Sequence, residues 1–469
     1  MKRHHLAVYK NFTALGLLMI LGACQLSPDY EEPQVTLPDT WRDEAAQSAA
    51  SQAKIDAAWW TSFKSAELDN LIDGAIAGNL DLRAALARID QARASAKIAG
   101  APLLPSVDAS ASTGWSRNNP SSGKTTSENS GRAGLSVGYE VDLFGRNRAG
   151  VTAAEANVRG SVYDRDALEL VVKGDVAQGY FTLLNLRERM DIARNNLENS
   201  RQVLRIVEAR FEAGTASALD VSRQRTSLAS AEASLTALGN QERAAENALS
   251  ILLGRAPSDL QLKEKGLRNI AIPQIPVSQP SAVVAQRPDV RSAEETLVAA
   301  NADIGAARAA FFPVLNLGVD TTVALSPLSD PASVALALAA SAAAPIFKGG
   351  QLQGGVERAR ARQAELAEAY RKTVITSMQE VENALSTAKA ARAREVSLAT
   401  AMQEARKAYS LSRDLYDAGA IDYQTMLDAE RTLLSAEDSH ASVRLEMLNA
   451  AVDLYKALGG GWSTSAVKR

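Results

Sequence analysis

One stretch of this sequence occurs twice, and the repeat limits what the chain can fold into. Residues 210–232 (RFEAGTASALDVSRQRTSLASAE) match residues 415–437 (LYDAGAIDYQTMLDAERTLLSAE) at a shift of 205 positions. In each copy a glycine, Gly214 or Gly419, interrupts a run of residues that favour helix. A glycine just past such a run is a signal for the C-terminus of a helix. Each copy therefore predicts a helix, a tight turn and a second helix.

The repeat extends in both directions from this stretch. Upstream, Asp81–Pro105 matches Asp289–Pro313 at a shift of 208, and downstream Leu252–Gly254 matches Ala457–Gly459 at a shift of 205. One unit of about two hundred residues is therefore present twice. Length alone leaves open whether the two units are two domains or one interleaved domain.

The helices before the two turns are predicted to be unusually long. Residues 146–255 and 347–469 contain no proline and are rich in good helix formers. A helix of about 65 residues is on the order of 100 Å long at about 1.5 Å per residue. It needs neighbours along its whole length, as in a coiled coil. After the glycines, Thr215 and Ser217 in the first copy and Asp422 in the second can cap the next helix.

The return helices carry a heptad pattern along one side. Large side chains alternate with alanine at spacings of three and four, so neighbouring helices can approach closely. The seam positions are Leu228, Ala231, Leu235, Leu238, Glu242, Ala245, Leu249 and Leu252 in the first repeat, and Leu433, Ala436, His440, Val443, Met447, Ala450, Leu454 and Ala457 in the second. The other two histidines lie in the first five residues, so no metal site is predicted at His440.

Two segments between the helices, 134–144 and 314–320, alternate apolar and polar residues, as half-buried strands do, while 107–115 does so more weakly and 333–347 is rich in alanine. They predict strands at about 105–117, 133–144, 313–323 and 333–346. Segments of about ten residues separated by turns are typical of membrane β-barrels, and even a small barrel needs about eight strands. Four strands per chain therefore predict oligomerisation, with a soluble sandwich as the alternative. By parity, the side chains predicted to face the lumen are Ser136, Glu140, Asp142, Asn316 and Asp320.

The N-terminus indicates export. Two basic residues precede an apolar run at 14–21, which is too short to cross a bilayer and ends just before Cys24, the only cysteine. Residues 21–24 (LGAC) resemble the lipobox of bacterial lipoproteins. The resemblance implies removal of residues 1–23, acylation of Cys24 and, because Gln25 rather than Asp follows, sorting to the outer membrane.

Charge and motif content exclude several classes of protein. The chain has 51 Lys and Arg residues against 54 Asp and Glu residues, a formal charge of −3. Removal of the signal takes three basic residues and no acid, which lowers the charge to −6. Such a balance argues against a nucleic-acid partner. The sequence has no nucleophile–histidine pair, metal-ligand cluster or phosphate loop, so neither an enzyme nor a cofactor is predicted.

Several segments, taken in order, resemble a known family. They are SPDYEEP after Cys24, WWTSF with LIDGAIAGNLDL, VDLFGR at 141–146, FEAGTASALDV at 211–221, QRPDVRSAEETLVAANADIGAARAAFFP at 286–313, PIFKGG at 345–350 and YDAGAIDYQTMLDAERTLLSAE at 416–437. The chain resembles the outer-membrane factors, the TolC-like exit ducts of tripartite (RND-type) efflux pumps, and is most similar to their lipoprotein branch. The resemblance covers nearly the whole mature chain.

The resemblance implies a mainly α fold with a membrane β-barrel. Three copies would form a 12-stranded outer-membrane barrel, four strands per chain, continued by a long periplasmic α-helical barrel that both tandem repeats line. The implied segments are a signal peptide at 1–23, an acylated tether at 24–57, repeat 1 at 58–254 with its hairpin at 146–254, an equatorial linker at 255–285, repeat 2 at 286–459 with its hairpin at 350–458, and a tail at 460–469.

The implied function is that of a passive channel. An inner-membrane transporter and a periplasmic adaptor would deliver small molecules (drugs, toxic organics or metal ions) for passage to the exterior. The homotrimer would be inserted in the outer membrane, held by acylated Cys24, and would extend into the periplasm. The adaptor would dock at the hairpin tips, at Gly214, Thr215, Ser217, Asp220, Gly419 and Ala420.

The resemblance also implies a periplasmic gate in the second hairpin. Asp428 matches a carboxylate that rings the closed aperture, and Arg431 and Tyr416 match partners in contacts between protomers. Gln424 stands where relatives often have an apolar residue, which is a departure from the family pattern. The alternative for Asp428 and Arg431 is an ordinary surface ion pair along one helix face.

Two other functions remain open at this point. A duct of the same fold could secrete proteins, although the lipobox favours small-molecule efflux. A periplasmic coiled-coil scaffold without a pore is the third possibility, and the alternating segments at 134–144 and 313–320 count against it.

Overall fold

The computed structural model describes residues 26–42, 55–121, 123–257, 260, 262–277, 279–325, 328 and 331–462. Its helices are α1 (Ala66–Gly78), α2 (Leu80–Gly100), α3 (Arg146–Glu212), α4 (Ala218–Leu252), α5 (Pro280–Ala285), α6 (Pro288–Ala309), α7 (Gln351–Asp417) and α8 (Tyr423–Ala457). Its strands are β1 (Ser106–Asn118), β2 (Thr126–Val141), β3 (Val314–Leu325) and β4 (Ser333–Ala343). The predicted signal peptide and Cys24 lie outside the described residues, as do residues 463–469 of the predicted tail.

The two helical hairpins have equal dimensions. α3 and α7 are each 67 residues long, and α4 and α8 are each 35. Gly214 and Gly419 follow α3 and α7 with φ values of 76° and 73°. This left-handed conformation is accessible to glycine at little cost, so the chain reverses where the repeat predicts. None of the described helices has a stretch long and apolar enough to cross a bilayer.

The return helices bury part of the predicted seam, and its other positions are partly buried. Buried seam residues are Ala231, Leu238 and Leu249 on α4, and Val443, Ala450, Leu454 and Ala457 on α8. The seam position His440 has its Nε2 3.8 Å from the Glu395 carboxylate. No group of residues suited to hold a metal ion is found in the described part of the chain.

The four strands form one antiparallel sheet in the order β1-β2-β3-β4. Ser136 lies opposite Asp320 and Glu140 opposite Asn316, so these four predicted lumen residues share one face. Asp142 differs, because β2 ends at Val141. The Asp142 carboxylate instead accepts hydrogen bonds from backbone N–H groups at the start of α3.

The strand boundaries depart from the prediction mainly at β2. This strand begins at Thr126, seven residues before the predicted start at 133. Residues 126–132 (TSENSGR) carry no large apolar side chain, so they lack the alternating pattern of a half-buried strand. Backbone pairing with β1, from Asn118 opposite Thr126 onward, forms this part of the strand.

The chain divides into two compact units. The first, within residues 1–34, 87–162 and 291–372, contains the sheet. In it, the Asn301 side chain donates a hydrogen bond to the Pro28 carbonyl at 2.8 Å, which fixes the N-terminal segment on α6.

The second unit, within residues 35–86, 163–290 and 373–469, contains the largest apolar core. Trp59 stacks on Tyr455 with ring centroids 5.0 Å apart, and Phe63 packs against Phe181 at the same distance. The aromatic cluster at 59–63 is therefore core packing.

Candidate functional site at the helical hairpin tips

The first hairpin turns between α3 and α4 at Gly214. The Arg210 carbonyl closes α3 by accepting hydrogen bonds from the Thr215 N–H at 2.8 Å and the Thr215 hydroxyl at 3.1 Å. Thr215 therefore closes α3 and does not cap α4. Ser217 is the cap, since its Oγ accepts from the Asp220 N–H while Asp220 accepts from the Ser217 N–H. This reciprocal capping box fixes the start of α4.

The second hairpin turns between α7 and α8 at Gly419. The Leu415 carbonyl accepts a hydrogen bond from the Ala420 N–H at 2.8 Å. Asp422 caps α8 as predicted, with its Oδ1 accepting from the Thr425 N–H at 2.8 Å. That bond holds the pKa of the Asp422 carboxyl below its ordinary value. The predicted docking residues thus form the two turns and the first residues of α4.

Apolar side chains beside the turns pack into what we term the hairpin cluster. Its members are Val203, Val207, Val221, Tyr416, Tyr423, Met426 and Leu427. Tyr416 and Tyr423 meet edge to face with ring centroids 6.1 Å apart. Because α3, α4, α7 and α8 all contribute, the cluster holds the two hairpins of one protomer together near their tips.

Arg210 connects the first hairpin to the end of α7. Its guanidinium lies 4.3 Å from the centroid of the Tyr416 ring. It also donates hydrogen bonds of 3.1 Å to the carbonyls of Tyr416 and Asp417. These carbonyls belong to the last turn of α7, and the Tyr416 carbonyl also accepts a hydrogen bond from the Gly419 N–H at 2.9 Å. One side chain of α3 therefore helps to close the long helix of the other repeat.

A buried polar chain makes a second connection. The Gln224 side chain on α4 donates a hydrogen bond to the Ser200 carbonyl on α3 at 2.8 Å. The Tyr423 hydroxyl on α8 donates to the Gln224 amide oxygen. Gln224 and Ser200 are fully buried and Tyr423 is 4% exposed, so these polar groups depend on each other. Burial raises the pKa of Tyr423, which keeps its hydroxyl protonated as a donor.

The predicted gate residues are split between the surface and the interior. Tyr416 is 5% exposed and lies in the hairpin cluster, whereas Asp428 and Arg431 are exposed on α8. The Asp428 carboxylate accepts a hydrogen bond from the Gln424 side chain at 2.9 Å. Among the described residues Asp428 forms no salt bridge with Arg431, so the surface ion pair considered above is not formed.

Arg210 and Gln224 were not identified from the sequence. A signal for Arg210 exists in the repeat, because the equivalent position in the second copy is Leu415. A charged residue near the end of α3 and an apolar residue at the same position of α7 indicate that the two helix ends make different contacts. Gln224 has no such signal, because glutamine is common on exposed helix faces.

The family model described as outer membrane efflux protein matches residues 71–255 and 280–460, one stretch in each repeat. The chain belongs to this outer membrane efflux protein family. One relative of this efflux protein is the pyoverdine export outer membrane protein OpmQ of Pseudomonas aeruginosa, 38% identical over 97% of this chain and 98% of that protein. The solvent efflux pump outer membrane protein SrpC of Pseudomonas putida is 33% identical over 97% of this chain and 99% of that protein.

Solved structures share the fold of this efflux protein. The outer-membrane channel OprN superposes with a TM-score of 0.85 at 28% identity, covering 94% of this chain and 100% of that one. The Campylobacter jejuni CmeC outer membrane channel superposes with a TM-score of 0.86 at 26% identity, covering 94% of this chain and 96% of that one. The predicted fold class, outer-membrane location and efflux function are confirmed. The gate and docking assignments remain predictions.

Proposed function

We propose that this efflux protein is a homotrimeric, passive exit duct. The observation that carries the proposal is the doubling of one unit, a strand pair followed by helices of 67 and 35 residues. A wall built from matched units can close around a lumen. β1 and β4 are the outer strands of the sheet, and every residue in them is exposed. Exposed edges favour pairing with another chain, and three copies would supply twelve strands.

The hairpin tips are the surface we assign to a periplasmic adaptor, which in turn connects to an inner-membrane transporter. Gly214, Thr215, Ser217, Gly419 and Ala420 are exposed, and the fixed caps behind them hold the turns in one conformation. A partner that binds the backbone and small side chains of these turns would bind more tightly if the turns were already ordered. Ordering the turns on binding would cost free energy.

We assign the gate to the exposed face of α8. Three symmetry-related copies of Asp428 at a constriction would repel anions and hold a negative potential there. The Arg431 side chain, which has no hydrogen bond or salt bridge to a described residue, is available for a contact with a neighbouring protomer. Gln424 bonds to Asp428 in this chain, so the second ring would be polar where relatives often have an apolar one.

Acylation at Cys24 is supported by the course of the segment that follows it. The Leu26 carbonyl accepts from Arg308 and the Pro28 carbonyl from Asn301. Each step toward the N-terminus thus moves toward the end of α6 that leads into β3. The described segment thus runs toward the strands as it approaches residue 26, a course that suits an acyl chain on Cys24 entering the membrane.

We place the choice of cargo in the transporter. Relatives of similar length are named for pyoverdine, solvents and toluene, which share little chemistry. A duct with no specific pocket, and no catalytic role, can serve all of them.

The test is a susceptibility panel on a strain that lacks this chain, with and without complementation by the wild type. The panel covers dyes, antibiotics, organic acids, copper and silver, with secretion of pyoverdine as an added readout. Sensitivity to one class, restored by complementation, supports the duct and names its cargo class. A missing exported protein, with the panel unchanged, would support the secretion alternative instead.

A further inference from the structure

One carboxylate in the described part of the second hairpin is buried without a partner. Glu430 on α8 is 4% exposed, and neither of its oxygens has a hydrogen-bond partner among the described residues. Buried charged groups are normally paired, because removing a charge from water costs far more than removing a neutral group. The proposed gate does not use this side chain, although Asp428 and Arg431 flank it on the same helix.

The groups around Glu430 do not satisfy it either. Tyr409 on α7 is 8% exposed, and its hydroxyl is also buried without a hydrogen-bond partner. Arg413 on α7 and Arg431 on α8 act on the carboxyl through space without bonding to it. Tyr423, two turns earlier on α8, is the other titratable group that feels its charge.

These surroundings favour the neutral acid. Burial raises the pKa of Glu430, and the two arginines only partly offset that rise. The carboxyl thus keeps its proton at pH values where an exposed glutamate, with an ordinary pKa of about 4.3, has lost it. A neutral acid can remain inside a packed helix pair, whereas an ionised one needs water or a cation.

We propose, resting on the gate assigned above, that Glu430 is a proton-binding site that couples pH to closure of the second hairpin. With the proton bound, α7 and α8 stay packed against each other near the tip. When the carboxylic acid gives its proton to water, the carboxylate must move toward solvent or toward an arginine. When the α8 backbone at residue 430 shifts to release the carboxylate, Asp428 and Arg431 on the same turn shift as well, so the gate face of α8 moves with it.

The sign of the effect follows from proton linkage. Between the ordinary glutamate pKa and the raised one, the packed hairpin binds one more proton than the opened hairpin. The stability of the packed state therefore falls as pH rises through this window. With one proton involved, the equilibrium shifts by up to about tenfold per pH unit.

The first hairpin lacks this device. The position equivalent to Glu430 is Arg225, which is exposed and pairs with Glu208 at 2.8 Å. The position equivalent to Tyr409 is Leu204. The proton site therefore belongs only to the hairpin that carries the assigned gate, as a switch of that gate requires.

The test is hydrogen exchange of the full-length protein in detergent, read by mass spectrometry on peptides that cover residues 409–431. Exchange rates are corrected for the intrinsic effect of pH. The wild type should lose protection here by up to about tenfold per pH unit between the ordinary glutamate pKa and the raised one, with no further loss above that window. Glu430→Gln, which keeps shape and stays neutral, should be protected at all pH values. Glu404→Gln, the same change at an exposed carboxylate of α7, should titrate like the wild type.

A second variant keeps the test sharp if Glu430→Gln folds poorly. Tyr409→Phe retains the acid but removes a buried, unpartnered hydroxyl that feels the charge of Glu430 and could stabilise its ionised form, so the midpoint should move to higher pH. Equal titration of wild type and Glu430→Gln would overturn the proposal. A carboxyl already ionised near pH 4.3, with no transition above it, would overturn it as well.

Closed-state current across a lipid bilayer, measured over the same pH range, separates this inference from the gate itself. If exchange responds to pH through Glu430 and current follows, both assignments stand. If exchange responds but current does not, the proton site stands and the gate assignment fails. If current depends on Asp428 while Glu430→Gln alters no pH response, the gate stands and the proton site is rejected.

Discussion

The guanidinium of Arg210 lies over the ring of Tyr416 and donates to the backbone carbonyl of the same residue. A side chain at the end of α3, in the first repeat, thus helps to close α7 in the second. The two hairpins of a protomer are therefore coupled at their tips. If the second hairpin opens, either this contact breaks or the end of α3 moves together with α7.

Replacing Arg210 with alanine should loosen the tips. The change removes two charge-assisted hydrogen bonds and a cation–π contact, a loss of about 1–3 kcal/mol of local stability. Hydrogen exchange in residues 409–423 should speed up by about five- to 150-fold, the equivalent of that loss. Arg205→Ala is the matched control, because Arg205 is exposed and its only salt-bridge distance to a described carboxylate is 4.0 Å. Equal exchange in the two variants would show that the contact carries no stability.

Gln224→Ala should destabilise both hairpins, because it leaves the Tyr423 hydroxyl buried without its acceptor. The expected cost is about 1–3 kcal/mol. Gln241→Ala, at an exposed position of the same helix, should change stability by less than about 0.5 kcal/mol. A double-mutant cycle with Tyr423→Phe, followed by chemical denaturation, should show non-additive losses. Additive losses would mean that the two side chains act independently.

The glycines of the turns should not tolerate a side chain. Gly214 and Gly419 have open space around them, so alanine there would be strained only by the positive φ, at a cost of about 1–2 kcal/mol. Gly354→Ala within α7 also meets open space and should stabilise the helix by about 0.5–1 kcal/mol. Glycine-to-alanine changes should therefore lower the melting temperature at the two turns and raise it at Gly354. The turn variants should also bind an adaptor more weakly. Unchanged binding would argue against docking at these turns.

The N-terminal segment packs closely against Gly305 on α6. A Cβ there would stand 1.9 Å from the Ser27 hydroxyl oxygen, so Gly305→Ala should displace the segment from α6. Proteolysis near residues 26–32 should then become faster, and Gly150→Ala, which meets nothing within 4 Å, should not change it. Cys24→Ala tests acylation separately, by loss of the lipid mass from the mature protein. A segment that stays protected in Gly305→Ala would contradict the assigned path.

The sequence predicts what is periodic and local. The repeat around Gly214 and Gly419, the cap at Asp422 and the seam of α8 follow from spacing and propensity, and the structure contains them. The early part of β2 was not predicted because residues 126–132 pair through the backbone, which leaves no side-chain pattern. Thr215 was a plausible cap until the geometry of the turn directed its hydroxyl to the Arg210 carbonyl.

The contacts that join the two repeats could not be predicted from the sequence. Gln224 and Tyr423 are 199 positions apart, and neither pattern nor propensity brings them together. Glu430 stands in a stretch that looks like an ordinary charged helix face, LDAERTLLSAE, so its burial is visible only when α7 and α8 are placed side by side. The resemblance identified Asp428 and Arg431, whereas the buried acid between them came from the structure.

Helix α8 is assigned here as the element that closes an outer-membrane duct, and planar-bilayer recording of the full-length protein checks that assignment. Wild-type protein should show a small, mostly closed conductance. Asp428→Ala combined with Arg431→Ala should raise it severalfold, because the carboxylate ring and its latch are both removed. A double variant with the same conductance as the wild type would contradict the account.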